Sequence, residues 1–236
     1  MTKVPSPRSP SSGSVEKRAD INAFLDKVRE TPQSDGSQAG LIFALDATMS
    51  RQATWDQAMN VQSAMFDAVG GLGSLAVQLV YFRGMGECRA SKWVWETRDL
   101  RNLMTGISCR GGQTQIGKVL SHARKADGQS GIKPRALVFI GDAMEENPDA
   151  LASKAGELGL LQLPVFAFQE GHDSMTEATF REMARLSGGA FMRFGPNSAA
   201  QLIELLKAVA TYARGGRAAL EGASSREARL LLEQLS

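Results

Sequence analysis

From Gly40 onward the chain alternates short, almost wholly apolar runs with stretches whose apolar residues recur every three to four positions. The runs at 41–45, 75–82, 136–140, 163–168 and 190–193 read as strands. A strand with one wet face would alternate apolar with polar residues, so runs this rich in apolar residues, broken only by Gln78 and by Arg193 at an end, indicate burial on both faces. Residues 92–97, with Trp93 and Trp95 on one face, read as an edge strand. Gly84 and Gly86 suit a turn, and the region of Gly106, Gly111 and Gly112 reads as a loop. Helical stripes lie between the runs: Ala58, Val61, Met65 and Ala68; then Ile116, Val119, Leu120 and Ala123; then Phe180, Met183 and Leu186. Asn147-Pro148-Asp149 combines a cap, a first-turn proline and an acid at the positive end of a helix dipole. Ser198 with Gln201, and Ser224 with Glu227, form capping boxes ahead of Leu202, Leu205, Leu206 and Val209, and ahead of Leu231, Leu232 and Leu235.

Buried strands separated by helices predict a doubly wound α/β domain. Its sheet is mostly parallel, of about six strands with one antiparallel edge strand, and carries helices on both faces. The domain is expected over 39–214. Before it, 1–38 reads as a disordered tail, a short helix carrying Ile21, Phe24, Leu25 and Val28, and a linker; 215–236 reads as a C-terminal helix.

Sheets of this kind bind ligands beyond the carboxyl ends of their strands, where the strand order reverses. The first buried run leads directly into Asp46-Ala47-Thr48-Met49-Ser50. Alternation along an extended segment turns Asp46, Thr48 and Ser50 toward one spot and Ala47 and Met49 elsewhere. The run at 136–140 ends in Gly141-Asp142, a second carboxylate on the same edge, and the glycine-rich loop Cys109-Arg110-Gly111-Gly112-Gln113-Thr114 brings a third hydroxyl. These are all hard oxygen donors, which suit magnesium or manganese over zinc or copper. Thr114 also stands where it would cap the helix that follows.

Composition narrows the chemistry. The 236 residues carry a formal net charge of +2, too balanced to indicate nucleic acid or a membrane surface. Two cysteines, Cys88 and Cys109, and two histidines, His122 and His172, lack the spacing of a zinc site or a disulfide framework. No apolar run reaches the roughly 18 residues of a membrane span, and the proline- and serine-containing start is unlike a signal peptide, so a cytoplasmic protein is expected.

The Asp-x-Thr-x-Ser string, the Gly-Gly-x-Thr loop and the later Gly-Asp, in that order, resemble the metal-ion-dependent adhesion site of the von Willebrand A family. The resemblance runs from about Gly40 to about Ala213. It implies one divalent cation, Mg2+ or else Mn2+ or Ca2+, touched by the hydroxyls of Thr48, Ser50 and Thr114. Asp46 and Asp142 would act partly through water, and one coordination place would stay open for an acidic group of a partner protein. It further implies a binding domain with no catalytic residues, and a partner such as a chaperone or an AAA-type ATPase. Two departures stand out. Thr48 replaces the family's usual serine, and Ala143-Met144-Glu145-Glu146 follows the strand-end aspartate where the family often has glycine. Those glutamates are open to three readings: extra ligands, charges that repel an acidic partner, or a solvated turn.

Two other functions fit parts of the pattern. A haloacid-dehalogenase-like phosphatase also places an aspartate after its first strand and Gly-Asp with further acids after a later one. Here Thr48 occupies the place of its general acid, and Lys133 is the nearest candidate for its lysine. A metal-independent scaffold would use the helices or the basic residues Arg83, Arg89, Lys92, Arg98, Arg101 and Arg110 near the expected edge strand. A solvated face is the plainer reading of that set.

Overall fold

The computed structural model of the chain describes residues 38–51, 75–126, 131–194, 203, 206–211 and 213. The expected tail, short helix and linker, the stripe at 58–68, the Ser198 capping box and the C-terminal helix from 215 lie outside the described residues.

Six strands form one sheet: β1 Gln38–Asp46, β2 Ala76–Arg83, β3 Glu87–Ala90, β4 Ile132–Gly141, β5 Val165–Glu170 and β6 Ala190–Phe194. Their spatial order is β3-β2-β1-β4-β5-β6, with β3 antiparallel to β2 and every other pairing parallel. This is the doubly wound α/β sheet that the apolar runs predict. Alternate residues of the central strands feed two cores. Phe43, Leu45, Leu79, Val138, Ile140 and Phe168 face one way, while Ile42, Ala44, Phe82, Leu137, Phe139 and Ala167 face the other. Helices α2 Ile116–Ala126, α3 Pro148–Leu160 and α4 Ser174–Ser187 cover the second face. Helix α1 Thr97–Thr105 and the helical residues 206–211 cover the first. Dry contact on both faces explains why these strands carry no polar alternation.

The helix starts follow local chemistry. Asn147 accepts from the Ala150 N–H at 3.0 Å, with Pro148 in the first turn. Asp173 accepts from the Thr176 N–H at 2.7 Å, so α4 opens at Ser174. Gly84 and Gly86 hold the β2–β3 turn at φ +62° and +123°, a region glycine enters without strain.

One expectation fails. The edge strand is β3, at 87–90, and not 92–97, where Val94 alone pairs, with Val77. The chain then enters α1, which has no counterpart in the sequence reading. Strand β3 is Glu-Cys-Arg-Ala and half exposed, so it has no apolar run to betray it. Helix α1 buries Leu100 and Met104 four residues apart amid charged neighbours, too short a stripe to stand out.

Candidate metal centre

Strands β2 and β4 flank β1 on opposite sides, so the order reverses at β1, and register pairs Leu45 with Ile140. Asp46 and Asp142 therefore leave adjacent strands at the same rim. Past β1 the chain stays bound to its neighbours: the Ala47 N–H donates to the Phe82 carbonyl at 3.0 Å, and the Ala47 carbonyl accepts from Arg110 N–H at 3.1 Å. A bridge between Thr48 and Arg110 then lays the 107–115 loop alongside the aspartate segment.

Within that segment Asp46 Oδ1 accepts from the Thr48 N–H at 2.8 Å, and the hydroxyls of Thr48 and Ser50 lie 3.1 Å apart. Ala47 is in the core and Met49 is exposed, as alternation requires. Thr114 is held by a reciprocal pair. Its N–H donates to Glu145 Oε2 at 3.1 Å, and its Oγ1 accepts from the Glu145 N–H at 3.0 Å. Glu145 follows Asp142 by three residues, so this pair ties the Thr114 loop to the end of β4. The structure thus brings Asp46, Thr48, Ser50, Thr114 and Asp142 to one rim.

Two atoms there have unmet demands. Asp46 Oδ2 and Asp142 Oδ1 are buried, and neither has a hydrogen-bond partner among the described residues. A buried carboxylate oxygen without a donor is costly unless a cation meets it. The Asp46 carboxyl is pushed up to about 6, chiefly by burial. The nearby Asp142 charge adds to that rise, and Thr48 hydrogen bonds and the Arg51 charge oppose it. Among the described residues no group of three or more His, Cys, Asp or Glu gathers as a metal cage. The donor set is two carboxylates plus hydroxyls, which suits a hard divalent ion that keeps some ligand places for other groups.

No protein-family model and no curated protein matches the chain. Solved structures do. The SpRpn10 VWA domain superposes with a TM-score of 0.58 at 11% identity, over 71% of this chain and 94% of that one. The von Willebrand factor type A protein of Catenulispora acidiphila gives 0.60 at 14%, over 74% of this chain and 43% of that one. Proximal thread matrix protein 1 of the mussel byssus, with a zinc-occupied MIDAS motif, gives 0.59 at 16%, over 74% and 46%. The chain has the von Willebrand A fold.

Three side chains support this rim in roles that the sequence did not give them. Arg83, only 8% exposed, donates from Nη1 to the Ser108 carbonyl at 2.8 Å and to Ser108 Oγ at 3.1 Å. That fixes the start of the Thr114 loop against β2. Glu146 accepts from the Gly117 N–H at 2.9 Å in the first turn of α2. Burial raises its carboxyl, and the N–H groups of Gly117 and Ile116 oppose that rise. Glu146, not Thr114, therefore satisfies the start of α2. The third is Arg51, directly after the motif, 1% exposed and ion-paired with Glu170 at 3.2 Å. The two glutamates after Asp142 are thus tethers, a role outside the three readings of the sequence. No spacing rule reveals this, because their partners lie about thirty residues upstream.

The other candidates have plain settings. Lys133 registers with Ala39 near the start of β1, roughly 25–30 Å along the strand from Asp142 and at the opposite rim from Asp46. Within the basic set, Glu87 draws Arg83, Arg89 and Arg110 together at 3.0, 2.9 and 3.8 Å. His122 Nε2 lies 2.8 Å from Gln78 Oε1, and burial lowers its pKa. Cys88 and Cys109 are free thiols raised by burial. Trp93 packs on the α2 side of the sheet, whereas Trp95 is half exposed.

Proposed function

We propose that the chain is a cation-dependent protein-binding domain. Thr48, Ser50 and Thr114 offer hydroxyls to one divalent ion, with Mg2+ favoured and Mn2+ or Ca2+ alternatives. Asp46 and Asp142 supply the balancing charge, partly through water, and a place remains for an acidic side chain of a partner protein. The observation that carries this reading is the pair of buried carboxylate oxygens on Asp46 and Asp142 that have no hydrogen-bond partner among the described residues, set at the rim that also holds the three hydroxyls. The ion would supply Lewis acidity toward the visiting carboxylate. The residues themselves orient it, and carboxylates that act partly through water would leave the ion electrophilic toward a visiting anion. The fold neighbour with an occupied MIDAS motif supports a divalent ion at such a rim.

A chaperone or an AAA-type ATPase is the partner class we favour, on the resemblance of the motif alone. Among the described residues no helix is long and apolar enough to cross a membrane. The test is calorimetric titration of the purified chain with Mg2+, beside Asp46→Ala and Asp142→Ala whose folding is checked by circular dichroism. Saturable binding in the parent, lost in both folded variants, is expected; equal binding in all three rejects the assignment. Copurification with and without chelator then separates a cation-dependent binder from a scaffold, whose partner capture would ignore the chelator.

A further inference from the structure

Arg51 closes the short turn Met49–Arg51, its N–H donating to the Thr48 carbonyl at 3.1 Å. A guanidinium that is 1% exposed loses most of its hydration, so it must be matched by charge where it lies. Its Nη2 pairs with Glu170 Oε2 at 3.2 Å. Glu170 is the last residue of β5, and register sets the preceding Gln169 beside Gly141, so Glu170 comes to the rim next to the strand end that carries Asp142. The Arg51 charge is also felt at Asp46, and the charges of Arg51, Asp46 and Asp142 are all felt at the Cys109 thiol on the neighbouring loop. These groups share one electrostatic neighbourhood. Counted alone, Asp46, Asp142 and Glu170 with Arg51 make three carboxylates and one guanidinium, −2 when all are ionised; Arg83, also felt at Cys109, adds the same positive charge to every variant below.

We propose that the buried Arg51–Glu170 pair sets how tightly the rim holds a divalent cation. The inference rests on the cation reading above and adds two residues that would not touch the ion. Arg51 is a resident positive charge that repels an incoming cation and keeps the cation-free rim from carrying uncompensated carboxylates. Glu170 screens Arg51 and adds to the attraction. Net charge at the rim, and not the clamp between two loops, is then the quantity that governs affinity. For a divalent ion in a partly wet site, one unit of nearby charge is worth about tenfold in dissociation constant.

The experiment is Mg2+ calorimetry at low ionic strength on the full chain and four variants, each first shown to be folded by circular dichroism. Arg51→Met leaves −3 and should tighten binding about tenfold; Glu170→Gln leaves −1 and should weaken it about tenfold. The double variant Arg51→Met/Glu170→Gln restores −2 and should return to within about threefold of the parent, although the clamp is gone. Arg51→Lys keeps the charge but loses the planar geometry, and should also stay within about threefold. Weakening in both Arg51→Lys and the double variant shows a structural clamp and overturns the proposal. If Arg51→Met fails to fold, Glu170→Gln and Arg51→Lys still decide: one must weaken binding and the other must not. An absence of Mg2+ binding in the parent rejects the cation reading and this inference with it. Parent binding without the charge order rejects this inference alone.

Discussion

Asp46 carries two opposed demands. Folding buries it to 1% exposure, and among the described residues its Oδ2 finds no donor, while the Thr48 N–H donates to Oδ1. Its carboxyl moves from an ordinary 3.8 to about 6. A carboxyl whose pKa is raised on folding favours the native state when protonated. That contribution is complete below about pH 4 and is lost as pH rises through about 6. In chelator, the parent should therefore become less stable than Asp46→Asn between pH 4.5 and 7.5, by about 1–3 kcal/mol at the upper end. Asparagine keeps the acceptor for the Thr48 N–H and removes the charge. Adding Mg2+ at pH 7.5 should reverse the order, because only the parent binds the ion. Urea denaturation at several pH values, with and without Mg2+, reads both effects. A variant no more stable than the parent in chelator shows that Asp46 is not under strain in the empty rim.

At the scale of elements, the Thr114 loop is the piece that the rim has to hold still. It contacts three others: β2 through Arg83 and Ser108, the aspartate segment through Arg110 and Ala47, and the end of β4 through Thr114 and Glu145. Removing one tether should loosen one ligand without unfolding the sheet. Glu145→Ala should cost about 1 kcal/mol, the low end for a buried N–H that loses its acceptor, because the Glu145 side of the contact is exposed. It should weaken Mg2+ several-fold more than that stability loss accounts for. Gly112→Ala should do more, because a Cβ there would sit 2.1 Å from the Gly84 carbonyl oxygen in the neighbouring turn. Backbone would have to move, and about 2 kcal/mol or more of stability should go with the cation affinity. Chemical denaturation paired with calorimetry separates the two cases, and an unaltered Gly112→Ala protein would show that the two turns can part freely.

The same elements show where the sequence was legible. The runs at 41–45 and 136–140 announced β1 and β4 because burial on both faces strips a strand of polar residues, and the rim residues follow those runs directly. Asp46, Thr48 and Ser50 were readable because they lie within five consecutive positions, and Asp142 because it ends a strand. Strand β3 and helix α1 were not, since half-exposed elements write a mixed pattern. The roles of Arg51, Glu145 and Glu146 were not, since each depends on a partner whose place only the folded chain defines.

At the scale of the molecule, the topology decides that one rim can serve as a binding site at all. The sheet reverses its strand order between β1 and β4, so loops from both halves meet at this rim. Those loops carry carboxylates that repel each other when the cation is absent, as the Asp142 contribution to Asp46 shows. A ligand that binds only the folded form must then stabilise the whole domain, because the five donors have no common centre in an unfolded chain. With Mg2+ at about one hundred times its dissociation constant, the gain is about 2.7 kcal/mol. For a chain of this length that corresponds to a rise in Tm of about 5–10 °C. Chelator should return the Tm to its starting value, and Asp142→Ala should show no rise at any Mg2+ concentration. Scanning calorimetry at pH 7.5 measures this with no partner present, so it tests the rim itself. A parent Tm that ignores Mg2+, Mn2+ and Ca2+ alike would mean that the buried oxygens of Asp46 and Asp142 are met in some other way, and would reject the cation reading.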